Sequence, residues 1–235
     1  MITQTNAFVV VLDTCVLAPM PLCDTLLRLA EDPAFYMPRW SDDILNELRR
    51  VLRRMDYSDA QVQRRIDAMG GAFEDAFVFG YEGLIPAMTN DAKDRHVLAA
   101  AIRCGAHAIV TENVKHFPPD SVAPYGIDTL TTDQFLVHQF HLGAEQFEQT
   151  LRRQADVRDI AFEDRFESLR SGRHRSRRCC QFHLDCCWKL YTDEVTATQC
   201  RTFPGEASFS FVRVNRWSAY RRKISPRVDM QMRSC

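Results

Sequence analysis

The apolar positions of this chain fall into two kinds of pattern. Phe8 to Leu12 is an unbroken apolar run rich in valine, and Ala108 to Val110 is a shorter one. Runs of that kind suit strands buried on both faces of a sheet. Between them, Ile44, Leu45, Leu48, Val51, Leu52 and Met55 recur at three- and four-residue spacing. So do Val62, Ile66, Met69 and Phe73, and again Val97, Leu98, Ala101 and Ile102. These spacings predict three amphipathic helices, each with one apolar stripe. The first starts at Ser41, with Asp42 and Asp43 in its first turn, where the helix dipole favours carboxylates. The second spans Ser58 to Ala76. The third follows Asp91 and ends at Gly105, which suits a left-handed C-cap.

The remaining elements are shorter. Asp24 to Ala30 predicts a helix, and Phe35 to Pro38, Phe77 to Tyr81 and Ile127 to Leu130 predict strands. Leu84 to Asn90 reads as a connector, and Pro118, Pro119 and Pro124 mark a loop. A helix beginning at Thr132 or Asp133 carries Phe135, Leu136 and Phe140, and helices at Ala144 to Gln154 and Phe162 to Leu169 follow. Strands alternating with helices predict an α/β fold, a parallel sheet with helices on both faces. No internal repeat is visible.

Composition narrows the class. At 235 residues and 46% hydrophobic content the chain reads as a globular protein. No run approaches the roughly 18 apolar residues of a membrane span. The start lacks a basic segment and its apolar run carries Asp13, so a secretory signal is not expected and a cytoplasmic location is. The net charge of −1 conceals an asymmetry: residues 1–170 carry 17 Lys and Arg against 26 Asp and Glu, and residues 171–235 carry 13 against 5.

The candidate chemistry sits at element ends. A carboxylate closing a buried strand, as Asp13 does, is costly unless it is hydrogen-bonded, paired or bound to metal. Thr111, Glu112 and Asn113 close the strand at Ala108 to Val110, and Asp91 and Asp94 precede or open a helix. In a parallel sheet, carboxyl ends of strands gather ligands and catalytic groups. Ordinary readings stand beside this one. Asp at a helix start is commonly a cap, Thr-Glu-Asn commonly a turn, and Glu47 near the border of its helix stripe commonly solvated.

Taken in order, VVLDTCVL, SDDILNELRRVL, DAKDRHVLAAAIRCGA and IVTENVKHFP resemble a PIN domain, the nuclease fold that includes the VapC-like toxins of bacterial toxin–antitoxin pairs. The resemblance spans about residues 6–170. It implies a three-layer α/β/α fold with a central parallel sheet, and beyond it an irregular C-terminal tail is expected from the sequence itself. It further implies a nuclease domain over 1–140, with residues 141–170 supplying C-terminal helices of the same domain. Carried over by position, Asp13, Glu47, Asp94 and Asn113 become catalytic metal ligands for Mg²⁺ or Mn²⁺, hard cations that prefer oxygen. Thr14 and Thr111 match hydroxyl positions that help hold the metal site. Asp91 matches a frequent additional acid. Two positions depart from the pattern: the fourth ligand, often Asp, is Asn113, and the usual Asp before Phe117 is His116. Asn113 can still offer a carbonyl and Glu112 is adjacent, but with one charge fewer a single metal ion becomes an open reading.

The implied function is a metal-dependent endoribonuclease, toxin-like and restrained by an antitoxin protein. Arg39, Arg95 and Lys115 flank the blocks and could contact RNA phosphates, although solvated surface charge is the ordinary reading of each. A homodimer is admitted; a membrane role is not. Two rival readings are a non-catalytic RNA- or protein-binding PIN domain and a DNA-directed nuclease. The basic, Cys-rich tail at 171–235 matches nothing in the family and is not expected to form a folded domain. Cys180, His183 and Cys186 raise a zinc module, and the basic residues raise a nucleic-acid arm. The abrupt loss of periodicity with a surge of Arg, Cys and Trp favours a segment translated out of its ancestral frame.

Overall fold

The computed structural model describes residues 8–157 apart from 32. The helix expected at Phe162 to Leu169, and the tail with its zinc, arm and frame readings, lie outside the described residues. Five strands form one all-parallel sheet in the order β3-β2-β1-β4-β5, where β1 is Val9–Leu12, β2 Met37–Ser41, β3 Phe77–Val78, β4 Ala108–Val110 and β5 Asp128–Leu130. The helices are α1 Thr14–Leu17, α2 Met20–Arg28, α3 Asp42–Arg54, α4 Asp59–Ala72, α5 Arg95–Arg103, α6 Pro119–Val122, α7 Thr132–Leu142 and α8 Ala144–Val157. Together they make the expected three-layer α/β/α sandwich.

The solid apolar runs occupy the middle of the sheet. Val10, Val11, Leu12, Ile109 and Val110 are fully buried. Each such side chain contributes about 1.5–3 kcal/mol relative to exposure. Around them, α3 packs on α1, α4 and β2, α5 packs on β1, β2 and β4, and α8 packs on α2 and α7. The α8–α2 contact carries buried polar bonds. Thr25 Oγ1 donates to Gln154 Oε1 at 2.9 Å, and Gln154 Nε2 donates to Asp24. No helix among the described residues is long and apolar enough to cross a membrane.

Several boundaries differ from the sequence reading. The second strand runs Met37–Ser41 rather than Phe35 to Pro38. Met37 N donates to Phe8 O at 2.8 Å, so the next residue, Pro38, would aim its missing N–H away from β1. On that side β3 pairs only with Trp40 and Ser41, so Pro38 breaks no bond. The helix expected over Ser58 to Ala76 stops at Ala72, and Phe73 leaves it with an extended φ of −135°. Ser58 caps this helix in a reciprocal capping box with Gln61. Phe77 to Tyr81 shortens to a two-residue edge strand. The connector Leu84 to Asn90 is mostly a 3₁₀ turn, Glu82–Ala87, and the proline loop contains α6. The first long helix begins at Met20, with Pro21 in its opening turn, rather than at Asp24. Met55 lies outside the stripe and is exposed. Gly105 has φ +62° and ends α5 as read.

Candidate active site

From β1 the chain moves to β2 and β3 on one side, then returns to β4 and β5 on the other. Loops leaving the carboxyl ends of β1 and β4 therefore diverge, and a crevice opens between them. Asp13 and Thr111 are the first residues past those two strands. Asp13 N donates to Val110 O at 3.1 Å, and the Thr111 hydroxyl donates to Asp13 Oδ2 at 2.6 Å. Asp13 Oδ1 accepts from Thr14 N at 2.7 Å, which also caps α1. Cys15 Sγ donates to Asp13 Oδ2 at 3.2 Å and accepts from Glu112 N at 3.2 Å. Burial foremost, and then the Asp13 charge, push the Cys15 thiol far above its usual range, so it remains a donor. Asp13 is only 3% exposed, and these donors are what make a carboxylate tolerable there.

Glu47 reaches the same edge from α3. Ser41 caps that helix, accepting from Ile44 N at 3.4 Å. The Thr14 hydroxyl lies 3.1 Å from both the Ile44 carbonyl and Glu47 Oε2, and its one proton serves either. His96 Nε2 on α5 stands 3.9 Å from Glu47 Oε2. Asp13, Thr14, Glu47 and His96 thus form a polar line from β1 across α3 to α5. Beyond Glu47 opens a cleft of about 580 Å³, lined by Asp43, Glu47, Arg50, Val51, Arg54, Lys93 and His96. Two acidic side chains and three cations, Arg50, Arg54 and Lys93, share its lining, an arrangement able to meet a phosphate chain.

The second cluster lies at the entry to α5. One ligand atom each from Asp91, Asp94 and His116 lies within 4.8 Å of the others. His116 Nδ1 is 2.6 Å from Asp94 Oδ2. Asp94 is the N-cap residue of α5 but makes no side-chain cap bond, so its carboxylate is turned to His116 instead. The main chain fixes all three. Asp91 N donates to His116 O at 3.1 Å, and Asp94 N donates to Asp91 O at 2.9 Å. Two carboxylates and an imidazole with this separation fit one divalent cation.

The residues carried over as ligands enter two hydrogen-bonded groups. Thr14 links Asp13 to Glu47, whereas Asp94 groups with Asp91 and His116. Asn113 is half-buried, and its N–H donates to Thr111 Oγ1 at 3.0 Å. Glu112 Oε1 accepts from Thr132 N at 3.2 Å, at the start of α7. Arg95 Nε donates to Asn90 O at 3.4 Å, and Lys115 is exposed on the turn Val114–His116. Arg39 donates to Pro38 O at 3.0 Å, and its charge acts on the Cys104 thiol, at the other end of α5 from Asp94. Sequence reasoning missed Cys15, Lys93, His96, Arg50 and Arg54 as members of the site. A signal for the last two was present: they stand three and seven residues after Glu47, on its own helical face.

Residues 9–115 match the model of a protein family described as PIN domain. Over 70 residues the chain is 57% identical to a Mycobacterium tuberculosis protein named "Putative ribonuclease VapC50". That match covers 30% of this chain and 41% of the other, so the chain spans less than half the length of the curated relative it matches. No solved structure matches significantly.

Proposed function

We propose, from the match of residues 9–115 to the PIN-domain family, that the chain is a metal-dependent endoribonuclease. The observation that carries this is the cluster of Asp91, Asp94 and His116 beside the polar line that starts at Asp13, at the switch point of the sheet. A divalent cation held there supplies an activated water and offsets charge building on the phosphate. Asp91 and Asp94 would hold it, with Asp13 and Glu47 supporting from the neighbouring strand and helix. Thr111, Thr14 and Cys15 donate to Asp13 and keep its carboxylate oriented. Arg50, Arg54 and Lys93 along the cleft would hold the sugar–phosphate backbone.

RNA is taken over DNA because the matched relative's name contains ribonuclease and because the four sequence blocks resemble VapC-like toxins. No residue of the cleft reads a 2′-hydroxyl by itself. The same resemblance supports a toxin role with an antitoxin partner, and Mg²⁺ or Mn²⁺ as the ion.

The test is cleavage of a single-stranded RNA, with and without chelator, by the wild type and by Asp13→Asn and Asp94→Asn. Each substitution removes one charge from the site and should slow cleavage by on the order of 10²-fold or more. Chelator should abolish it. Full-rate cleavage by either variant would remove that residue from the site. RNA bound but never cleaved, with metal present, would favour a binding-only PIN domain.

A further inference from the structure

We propose that His116 is a direct ligand of the metal centre and gives it a preference for first-row transition cations such as Mn²⁺ over Mg²⁺. This rests on the reading of Asp91 and Asp94 as metal ligands, and goes further by assigning the third donor and the ion it selects. Its basis is geometric. The imidazole stands where its Nδ1 is 2.6 Å from Asp94 Oδ2, and all three ligand atoms lie within 4.8 Å of one another. Two donors at about 2.1 Å from one ion stand about 3 Å apart when adjacent and about 4.2 Å when opposite. The Nδ1–Oδ2 distance of 2.6 Å is a hydrogen bond, shorter than the spacing of adjacent ligands, so an entering ion would displace the shared proton and part the two atoms by a few tenths of an ångström.

The turn is prepared for this. His116 N donates to Asn113 O at 2.8 Å and Phe117 N to Val114 O at 3.0 Å, with Phe117 buried beneath. His116 O accepts from Asp91 N, so the imidazole and the first carboxylate belong to one bonded frame. Asp91 Oδ1 accepts from Lys93 N at 3.0 Å, which leaves the other oxygen of that exposed carboxylate outside this turn bond. Asn90, immediately before Asp91, is 3% exposed, and neither atom of its side-chain amide has a partner. A buried amide next to the cluster in the chain is thus left without a protein partner.

Ion choice follows from the donors. Mg²⁺ is hard, sheds water reluctantly and is held mainly by carboxylate charge. An imidazole nitrogen in place of a carboxylate removes one negative charge and adds a borderline donor that transition cations accept more readily.

The experiment titrates the full chain with Mn²⁺, following loss of the free-ion EPR signal, then displaces the bound ion with Mg²⁺. Pulsed EPR of bound Mn²⁺ reads ¹⁴N coupling from a coordinated imidazole. His116→Asp and His116→Gln are run alongside, and subtraction removes any contribution from other histidines. Expected are a ¹⁴N coupling in the wild type that both variants lose, and a Mn²⁺-to-Mg²⁺ affinity ratio about tenfold lower in His116→Asp. An unchanged coupling and ratio in His116→Asp, with Mn²⁺ still bound, would overturn the assignment of His116 and leave the carboxylate site standing. An Asp94→Asn titration identical to wild type would overturn the carboxylate site, and this inference with it.

Discussion

Thr111 donates its hydroxyl to the Asp13 carboxylate across 2.6 Å, joining the ends of two neighbouring parallel strands. The same hydroxyl accepts from Asn113 N at 3.0 Å, so it also sets the turn that leads to His116. One oxygen atom therefore couples the Asp13 side of the crevice to the loop carrying the Asp91–Asp94–His116 cluster. The Asp13 end of that link is nearly sealed from solvent, which makes its loss costly.

Thr111→Val keeps the shape and removes that oxygen. It leaves a buried carboxylate short of one donor and the Asn113 N–H without its acceptor, a loss of about 1–3 kcal/mol. A lowered urea midpoint with unchanged slope should record it, and Thr111→Ser should recover most of it. A variant as stable as wild type would show that Cys15 and Thr14 suffice to hold Asp13.

Much of this edge was legible beforehand. Asp13 stood out because a solid valine run cannot end in a carboxylate without a partner, and the structure supplies Thr111, Thr14 and Cys15. The parallel sheet followed from runs alternating with helical stripes. What stayed hidden depended on contacts distant in sequence. Asp94 looked equally like a cap, and only the 22-residue reach to His116 turns its carboxylate away from α5. The end of β2 was misjudged because Pro38 reads as a breaker, and its tolerance depends on how short β3 is. His96 carries no local mark; its approach to Glu47 exists only once α5 lies against α3.

Arg50 and Arg54 should act through phosphates rather than bases. Removing a single phosphate contact from a single-stranded RNA complex lowers the slope of log affinity against log salt by about 0.7. Arg50→Ala and Arg54→Ala should each do this by up to that amount, equally for RNAs of different sequence, without changing the chelator-sensitive rate at saturation. A salt slope unchanged in both variants would move the RNA path out of the cleft.

Stability should fall as the solution is acidified through the histidine range. Burial is the main cause holding His107 and His138 below the usual imidazole value of 6.5; the neighbouring His141 adds to it for His138. A lowered folded value means that the unfolded chain binds the proton first. The full contribution is therefore present above pH 6.5 and shrinks as pH falls from there toward the folded values. Urea midpoints between pH 8 and 5.5 should show this decline, and it should be shallower in His107→Asn, whose amide oxygen can still accept from Val9 N. An identical pH profile for that variant would exclude His107 as a source.

Truncation tests where the domain ends. Every residue placed in the candidate site, from Asp13 to His116, lies well before Arg170. The last helix, α8, is fastened to α2 through the buried Thr25–Gln154 bond and by Phe147 and Leu151, both buried. A chain ending at Arg170 keeps all of these and removes 13 Lys and Arg against 5 Asp and Glu. It should unfold in a single cooperative step, bind divalent metal and cleave RNA at a similar rate. Affinity for RNA should drop mainly at low salt, because the lost positive charge acts through counterion release. Non-cooperative unfolding would place part of the fold beyond residue 170. Stoichiometric zinc in the full chain, absent from the shorter one, would place a zinc site beyond residue 170 and return the tail to the reading of a metal module.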